Sequence, residues 1–170
     1  MSYRPSLFRV ELGETDDKGA LQTAKATGYD GEELVGAHAI RQHGLASHAP
    51  KGSHGFGLAG SGERSLVALI GLEHQDKRPR DLAEGNTVLY DAKGNATRML
   101  GDDGVWHDAG SRPQKMTGKT ILLDGTDSVT VKVGSVLIVI EGGKVYLGGK
   151  DGAQRVMTEG GPSSIVYAKV

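Results

Sequence analysis

Six histidines are the residues of this chain with the clearest capacity for chemistry, because imidazole binds metals and transfers protons near neutral pH. His43, His48 and His54 lie in one predicted loop, and His38 precedes His43 by five residues. Side chains on one face of a strand are separated by an even number of residues, so His38 and His43 do not form a same-face pair. No nearby Asp or Glu pair completes a site with metal-ligand spacing. We interpret these histidines as exposed loop residues and predict no metal site. A site built from one histidine of each of three chains stays open.

Five carboxylates are the second candidate for chemistry, because paired carboxylates hydrolyse glycosidic bonds. They are Asp102, Asp103, Asp108, Glu63 and Glu73. The Asp-Asp-Gly sequence at residues 102–104 is above all a turn signal, and the chain leaves no length for a lysozyme-like domain. The glycine-rich residues 57–62 lack the lysine and the strand-to-helix context of a phosphate-binding loop. We therefore predict no catalytic residue, no cofactor and no enzymatic activity.

Composition indicates the kind of fold that surrounds these residues. The chain has 170 residues with 27 glycines, 5 prolines, 37% hydrophobic and only 5% aromatic residues, which favours a thin, glycine-cornered all-β structure. Twenty Lys and Arg balance 21 Asp and Glu, so the positive field that draws proteins onto nucleic acid is missing. The absence of cysteine excludes disulfides and thiolate metal sites.

Residues 1–95 have the pattern of a small closed barrel. The predicted strands cover residues 7–12, 21–29, 33–41, 65–71 and 85–91, with a turn at 13–19 and a long loop at 43–63. Gly36 suggests a bulge in the third strand, and residues 65–71 are apolar on both faces, as in a central strand. Five or six short strands and little helix favour an OB-type Greek-key barrel, with other small β-barrels as the alternative.

Residues 96–170 form a second predicted region, a ladder of short strands with period-two alternation. The strands cover residues 97–100, 104–107, 119–124, 128–133, 135–141 and 144–147, with corners at Gly134 and at residues 142–143. Polar neighbours such as Thr130 and Lys132 point outward, which leaves an inward apolar set. That predicted core set is Val129, Val131, Val133, Val136, Ile138, Ile140, Val145 and Leu147. Because such strands have one apolar face and open edges, we expect sister copies, rather than a fold-back within one chain, to complete the core.

Three segments resemble motifs of one family, in the same order and at similar spacing. They are residues 40–55 (IRQHGLASHAPKGSHG), 60–70 (GSGERSLVALI) and 81–94 (DLAEGNTVLYDAKG), and they resemble xYGxxSxPxxGxE, GGDRSxxVVI and LxxGEVALYDxxG. With the strand ladder that follows, they make the chain similar to the baseplate assembly protein V family of Mu-like contractile phage tails. The likeness is weakest before residue 20 and after residue 150.

The resemblance implies a homotrimer in the tail baseplate of a virion. Residues 1–95 would form OB-type collar barrels, and residues 96–170 of three chains would wind into a triangular, intertwined β-helix needle and tip. Such a central spike caps the tail tube and mechanically punctures the host outer membrane. Its implied partners are sister copies, the baseplate hub and tail-tube proteins, and transiently that membrane, but no nucleic acid.

One departure from the family concerns the tip. Many relatives end in a His-x-His pair that holds iron, whereas the last histidine here is His107, so we carry no metal over. Either the tip is blunt or a small separate protein caps it, and residues 165–170 would then be the docking strand, with unpaired backbone groups.

Two alternative functions, from other classes of protein, remain open besides the central spike. An OB-type binder of nucleic acid or oligosaccharide would need stacking aromatics and a basic groove, which the composition does not favour. A trimeric β-helical depolymerase would need a longer chain and a carboxylate-lined groove.

Overall fold

The protein is an all-β structure, which confirms the predicted class. The computed structural model describes residues 6–60 and 66–169, and strands dominate them, with two single-turn 3₁₀ segments at Tyr29–Gly31 and Gly101–Asp103. The chain divides into two compact units, residues 1–114 and 115–170. The predicted domain boundary between residues 95 and 96 stays a prediction, since a division of the chain by compactness does not test it.

Five strands of the first unit close into a barrel. They are β1 (Ser6–Asp16), β2 (Thr23–Thr27), β3 (Glu33–Ala39), β4 (His54–Ala59) and β5 (Val67–Glu73). The strand order is β1-β2-β3-β5-β4, and β4 returns to pair with β1. Only the β3–β5 pair is parallel. The predicted strand at residues 65–71 is thus present as β5 and lies between β3 and β4, although Ser65 is outside the described residues.

Alternation along each strand supplies the barrel core. Val10 and Leu12 of β1 and Leu69 of β5 are buried, while their sequence neighbours Glu11 and Ile70 face outward. Most of the other members are alanines: the core cluster also contains Ala24, Ala26, Leu34, Ala37, Ala49, Ala59 and Val67. Small side chains at many positions suit a narrow barrel, whose interior the leucines fill together with the partly buried Phe8 and Leu72.

Gly36 lies in a β-bulge, which confirms that prediction. Ala24 pairs with Ala37 and Ala26 pairs with Leu34, so β3 carries one residue more than β2 between the two pairs. Gly36 has a φ of 72°, a conformation that glycine adopts without steric cost.

Two predictions for this region are wrong. Residues 14–16 continue β1 instead of forming a turn, with Glu14 paired to Lys25 after an irregularity at Gly13. Residues 54–59 of the predicted long loop form β4, so His54 lies on a strand. The sequence pattern did not predict β4, because two of its residues are glycines and glycine has a low β-propensity. The fold itself requires them: a Cβ on Gly57 would lie 2.6 Å from the Phe8 ring.

The predicted last strand of the barrel region exists but belongs to another sheet. It is β6 (Thr87–Tyr90), which pairs with β7 (Ala96–Met99), and β7 pairs with β8 (Val105–Asp108). The predicted strands at 97–100 and 104–107 correspond to β7 and β8. The expectation that residues 85–91 complete the barrel is therefore wrong, because the tight turn at Asp91–Asn95 directs β6 to its sequence neighbour.

The second unit contains a single five-stranded sheet. Its strands are β9 (Ser128–Val133), β10 (Val136–Glu141), β11 (Lys144–Leu147), β12 (Ala153–Thr158) and β13 (Gly161–Lys169). The order is β12-β13-β11-β10-β9, so β12 and β9 are the edges. Of its ladders, β11–β13 is parallel and the rest are antiparallel. Three predicted ladder strands are confirmed as β9, β10 and β11.

The predicted glycine corners are tight hairpin turns. Gly134 has a positive φ while Ser135 does not, as in a type II′ turn, and Gly142 and Gly143 both have positive φ, as in type I′. These turns fold the chain back on itself, so β9, β10 and β11 pair as hairpins within one chain. The trimeric, intertwined β-helix stays a prediction.

Candidate functional site

The candidate site is one face of the five-stranded sheet, built by cross-strand register. Residues directly opposite each other in a ladder point to the same side of the sheet. Ile138 of β10 lies opposite both Val131 of β9 and Leu147 of β11, and Ile140 lies opposite Val129 and Val145. Val136 lies opposite Val133. All eight residues of the predicted core set therefore share one side, which we call the apolar face. Their role as a trimer core stays a prediction.

The apolar face continues onto β13, which the sequence analysis did not assign to it. Val145 pairs with Val166 and Leu147 pairs with Ala168, so Val166 and Ala168 extend the same face. No polar alternation marks these residues, because the neighbouring Ile165 and Tyr167 are apolar too. The sequence analysis interprets residues 165–170 instead as a docking strand with unpaired backbone groups. This interpretation is wrong for the described residues, since Tyr167 and Ala168 pair with β11 on one side and with β12 on the other.

The apolar face is open to solvent in the single chain. Val133 is 78% exposed, Val136 66% and Val131 53%, and Ile138, Ile140 and Leu147 each keep at least 40% of their surface. Burial of a large aliphatic side chain contributes roughly 1.5–3 kcal/mol when it is complete. Covering six half-exposed side chains would therefore contribute on the order of several kcal/mol per copy, before the cost of ordering the partners is deducted.

The opposite face of the sheet is covered differently. Val139 is buried, and its direct cross-strand neighbours are Thr130 and Tyr146. The Tyr146 and Tyr167 rings lie 5.4 Å apart between centroids, and Lys144 Nζ lies 5.3 Å from the Tyr167 centroid. Aromatic rings and a lysine thus shield this side, as amphipathic side chains do at a solvent boundary. The sheet therefore has one side whose polar groups suit contact with water, and one apolar side that suits contact with a partner.

The predicted strand at residues 119–124 is wrong for the single chain. Among the described residues, none from 109 to 127 is in a strand. Ile121, Leu122 and Leu123 are nevertheless 49%, 82% and 61% exposed. These residues therefore have the sequence pattern of a strand but form no strand in the single chain.

The histidines do not converge. His38 is half-buried on β3 and His54 is exposed on β4, whereas His43 and His48 are exposed in the loop between these strands. Within residues 6–60 and 66–169, no group of three or more His, Cys, Asp or Glu residues has the arrangement of a metal site.

The candidate carboxylates are also dispersed. Asp102 and Asp103 form the exposed 3₁₀ turn before β8, and Asp108 ends that strand. Glu73 ends β5, and its Oε1 lies 3.5 Å from Nε of Arg78. Glu63 lies outside the described residues.

Two residues at the β6–β7 turn have shifted pKa values for structural reasons. The Asn95 side chain donates to the Asp91 carboxylate, and the Lys93 and Asn95 backbone N–H groups donate to it as well. These hydrogen bonds lower the pKa of Asp91. Partial burial, followed by the nearby Glu73 carboxylate, raises the pKa of Tyr90, and the Arg78 guanidinium opposes this. An Asx-type turn explains the arrangement without a ligand.

Comparison with protein families finds a match that covers the barrel. Residues 9–76 match the family model described as Bacteriophage Mu Gp45, N-terminal. This segment is similar to the N-terminal domain of that family. The match spans nearly all of β1 to β5 and ends before β6, and it confirms the predicted resemblance to the Mu-like baseplate protein family. Comparison with curated proteins finds no match. In the described part of the chain, no helix has the length and apolar character to cross a membrane.

Proposed function

We propose that the protein is the homotrimeric central spike of a contractile tail baseplate, located in the virion. The observation that carries the proposal is the exposed apolar face of the second unit, in a chain whose first unit contains a Mu Gp45-type barrel. A baseplate structural protein is what the family match supports most directly. The trimer and the puncturing role go beyond that match and rest on the arguments that follow.

The barrel is of the OB type in this proposal. Its strand order β1-β2-β3-β5-β4, closed between β4 and β1, with one parallel pair between β3 and β5, supports that assignment. Five strands with this Greek-key connectivity are the pattern that OB barrels share. Three such barrels form the collar.

The trimer is supported by the difference in polarity between the two faces of the second sheet. Three copies that turn their apolar faces toward a common axis form a triangular prism with a dry interior. The faces that carry Thr130, Lys132 and Lys144 then meet solvent. A cyclic assembly of this kind removes the exposed Val and Ile side chains from water, and the intertwined β-helix is its fully wound form.

The mechanical role follows from the kind of interior that three such sheets create. An apolar core along the axis resists bending. Because the three sheets would have to separate together before this core is exposed, the trimer resists unfolding kinetically as well as thermodynamically. The spike caps the tail tube, contacts the hub and tube proteins, and is driven through the outer membrane without a chemical step.

The mass of the purified full chain in solution tests the proposal. Light scattering is expected to give three times the 17.8 kDa of one chain, and negative-stain images are expected to show a club with a thin shaft. A stable species with the mass of one chain would overturn the proposal. A dimer would overturn the threefold arrangement.

A further inference from the structure

The second unit contains two segments that lack a backbone partner, on one side or on both, in the described chain. One is residues 119–124, which have strand-like sequence and exposed Ile121, Leu122 and Leu123 but no strand partner in the described chain. The other is β12, an edge strand that pairs only with β13 among the described strands. Unpaired backbone groups at such an edge form a template for another strand.

We infer that residues 119–124 of one copy form a strand on assembly by adding antiparallel to the free edge of β12 in the next copy. This inference rests on the proposed trimer and names the contact that closes it. It is a β-strand addition, in which main-chain hydrogen bonds supply the affinity and alternate side chains supply the register.

The ends of the sheet make this contact compatible with a ring. In a cyclic trimer each interface is heterologous, so each copy must present two different surfaces. Residues 125–127 connect the segment to β9, which is one edge of the sheet, and β12 is the other edge. The donor segment is therefore joined by three residues to one edge strand, and the acceptor is the other edge strand. Head-to-tail contacts of this kind close a ring and pair the outer edge of β12 in every copy.

Charge decides the direction of the added strand. Lys119 begins the segment and Asp124 ends it, whereas Arg155 lies early in β12 and Glu159 follows its end. An antiparallel arrangement places Lys119 opposite Glu159, and Asp124 then lies opposite the neutral Gln154. A parallel arrangement over the same residues places Asp124 opposite Glu159, which is repulsive. Cross-strand pairs of opposite charge contribute roughly 0.2–1 kcal/mol each, and like pairs destabilise.

The same register matches the apolar residues of the two strands. With Lys119 opposite Glu159, Leu122 lies opposite Val156 and Ile121 opposite Met157, which is 69% exposed in the single chain. Thr120 lies opposite Thr158, a pair that is favourable across strands. Each apolar residue of the segment except Leu123 thus meets an apolar partner.

Disulfide trapping tests the contact, because the chain has no cysteine of its own. In the full chain carrying Leu122→Cys and Val156→Cys, each copy is expected to bond to both neighbours. Mild oxidation should then convert most of the protein to a covalent trimer on a non-reducing denaturing gel. The matched control carries Met116→Cys with Val156→Cys, where Met116 is also exposed but precedes the segment, and it should remain largely unlinked.

The outcomes separate this inference from the proposed function. A trimer by light scattering that forms no Leu122–Val156 bond, or forms it within one chain, overturns the strand addition and leaves the spike intact. A protein with the mass of one chain overturns both. Equal trapping of the control pair would also overturn the specific register.

A proline pair provides a second test that does not depend on oxidation. Leu122→Pro removes a backbone donor from the proposed strand, whereas Met116→Pro places the same change outside it. Far-UV circular dichroism should report a folded sheet in both, since neither residue is in a strand of the single chain. The Leu122→Pro trimer should dissociate in detergent at a lower temperature than the Met116→Pro trimer. Identical dissociation of the two would count against the inference.

Discussion

Ile138 and Val131 lie directly opposite each other on the apolar face, and in the single chain they are 40% and 53% exposed. A cross-strand pair of this composition normally lies in a core, because aliphatic side chains in contact exclude water from both. Its exposure here identifies a surface that remains to be covered. The first prediction tests what covers it.

Ile138→Lys should convert the trimer to single chains, because each copy would place an ammonium group on the apolar axis at a cost of roughly several kcal/mol. Thr130→Lys is the matched control, since Thr130 is exposed and lies opposite Val139 on the other face. It should leave the mass unchanged. Sedimentation or light scattering measures both, and a trimeric Ile138→Lys protein would show that this face is not the interface.

Gly57→Ala should destabilise the barrel by about 1–3 kcal/mol, the usual effect of overpacking. Gly57 is paired with Phe8, and a Cβ there would lie 2.6 Å from the Phe8 ring. Gly60→Ala is the control, because a Cβ at that position meets nothing within 4 Å. Denaturant unfolding followed by circular dichroism compares the two. Phe8→Leu added to Gly57→Ala should restore part of the loss, and equal stability of the two alanine variants would contradict the explanation.

Leu69→Ala should lower the free energy of unfolding by about 2–5 kcal/mol, because Leu69 is fully buried and its truncation leaves a cavity. Ile70→Ala, on the outer side of the same strand, should cost about 1 kcal/mol or less, since that side chain is 40% exposed. Thermal and denaturant unfolding measure the difference. Similar losses at both positions would mean that β5 does not present Leu69 to the interior.

The carboxyl group of Asp91 should titrate below its ordinary pKa of 3.8. Hydrogen bonds from Asn95, then from the Lys93 backbone, favour the charged form, so their contribution is present above the pKa of the unfolded chain. It is lost as pH falls through the lower pKa of the folded state. Carboxyl chemical shifts followed by NMR measure this directly.

Asn95→Ala removes the largest cause of that shift and should move the Asp91 pKa back toward 3.8. Lys93→Ala is the control, because the Lys93 contribution comes from its backbone N–H and survives the substitution. An unchanged Asp91 pKa in Asn95→Ala would contradict the hydrogen-bond explanation.

The sequence by itself determined which residues share a face of the second sheet. Side chains on a strand alternate with period two, so Thr130 and Lys132 were sufficient to assign Val131 to the inward side, and Lys144 did the same for Val145. Glycines at residues 134, 142 and 143 also marked corners between strands, since a positive φ is a local requirement that glycine meets; that these corners are hairpin turns came from the structure. The bulge at Gly36 was predictable for the same reason.

Tertiary structure alone decided which strands pair. β4 was missed because Gly55 and Gly57 give no strand signal, and they are tolerated only where the Phe8 ring and β5 pack against them. β6 has an ordinary strand sequence, yet nothing local shows that it pairs with β7 instead of the barrel. β13 lies between β11 and β12 although it is last in the chain. Pairing depends on contacts between residues far apart in sequence, whereas alternation and turn geometry depend on neighbours, and this is why the face was predictable and the strand order was not.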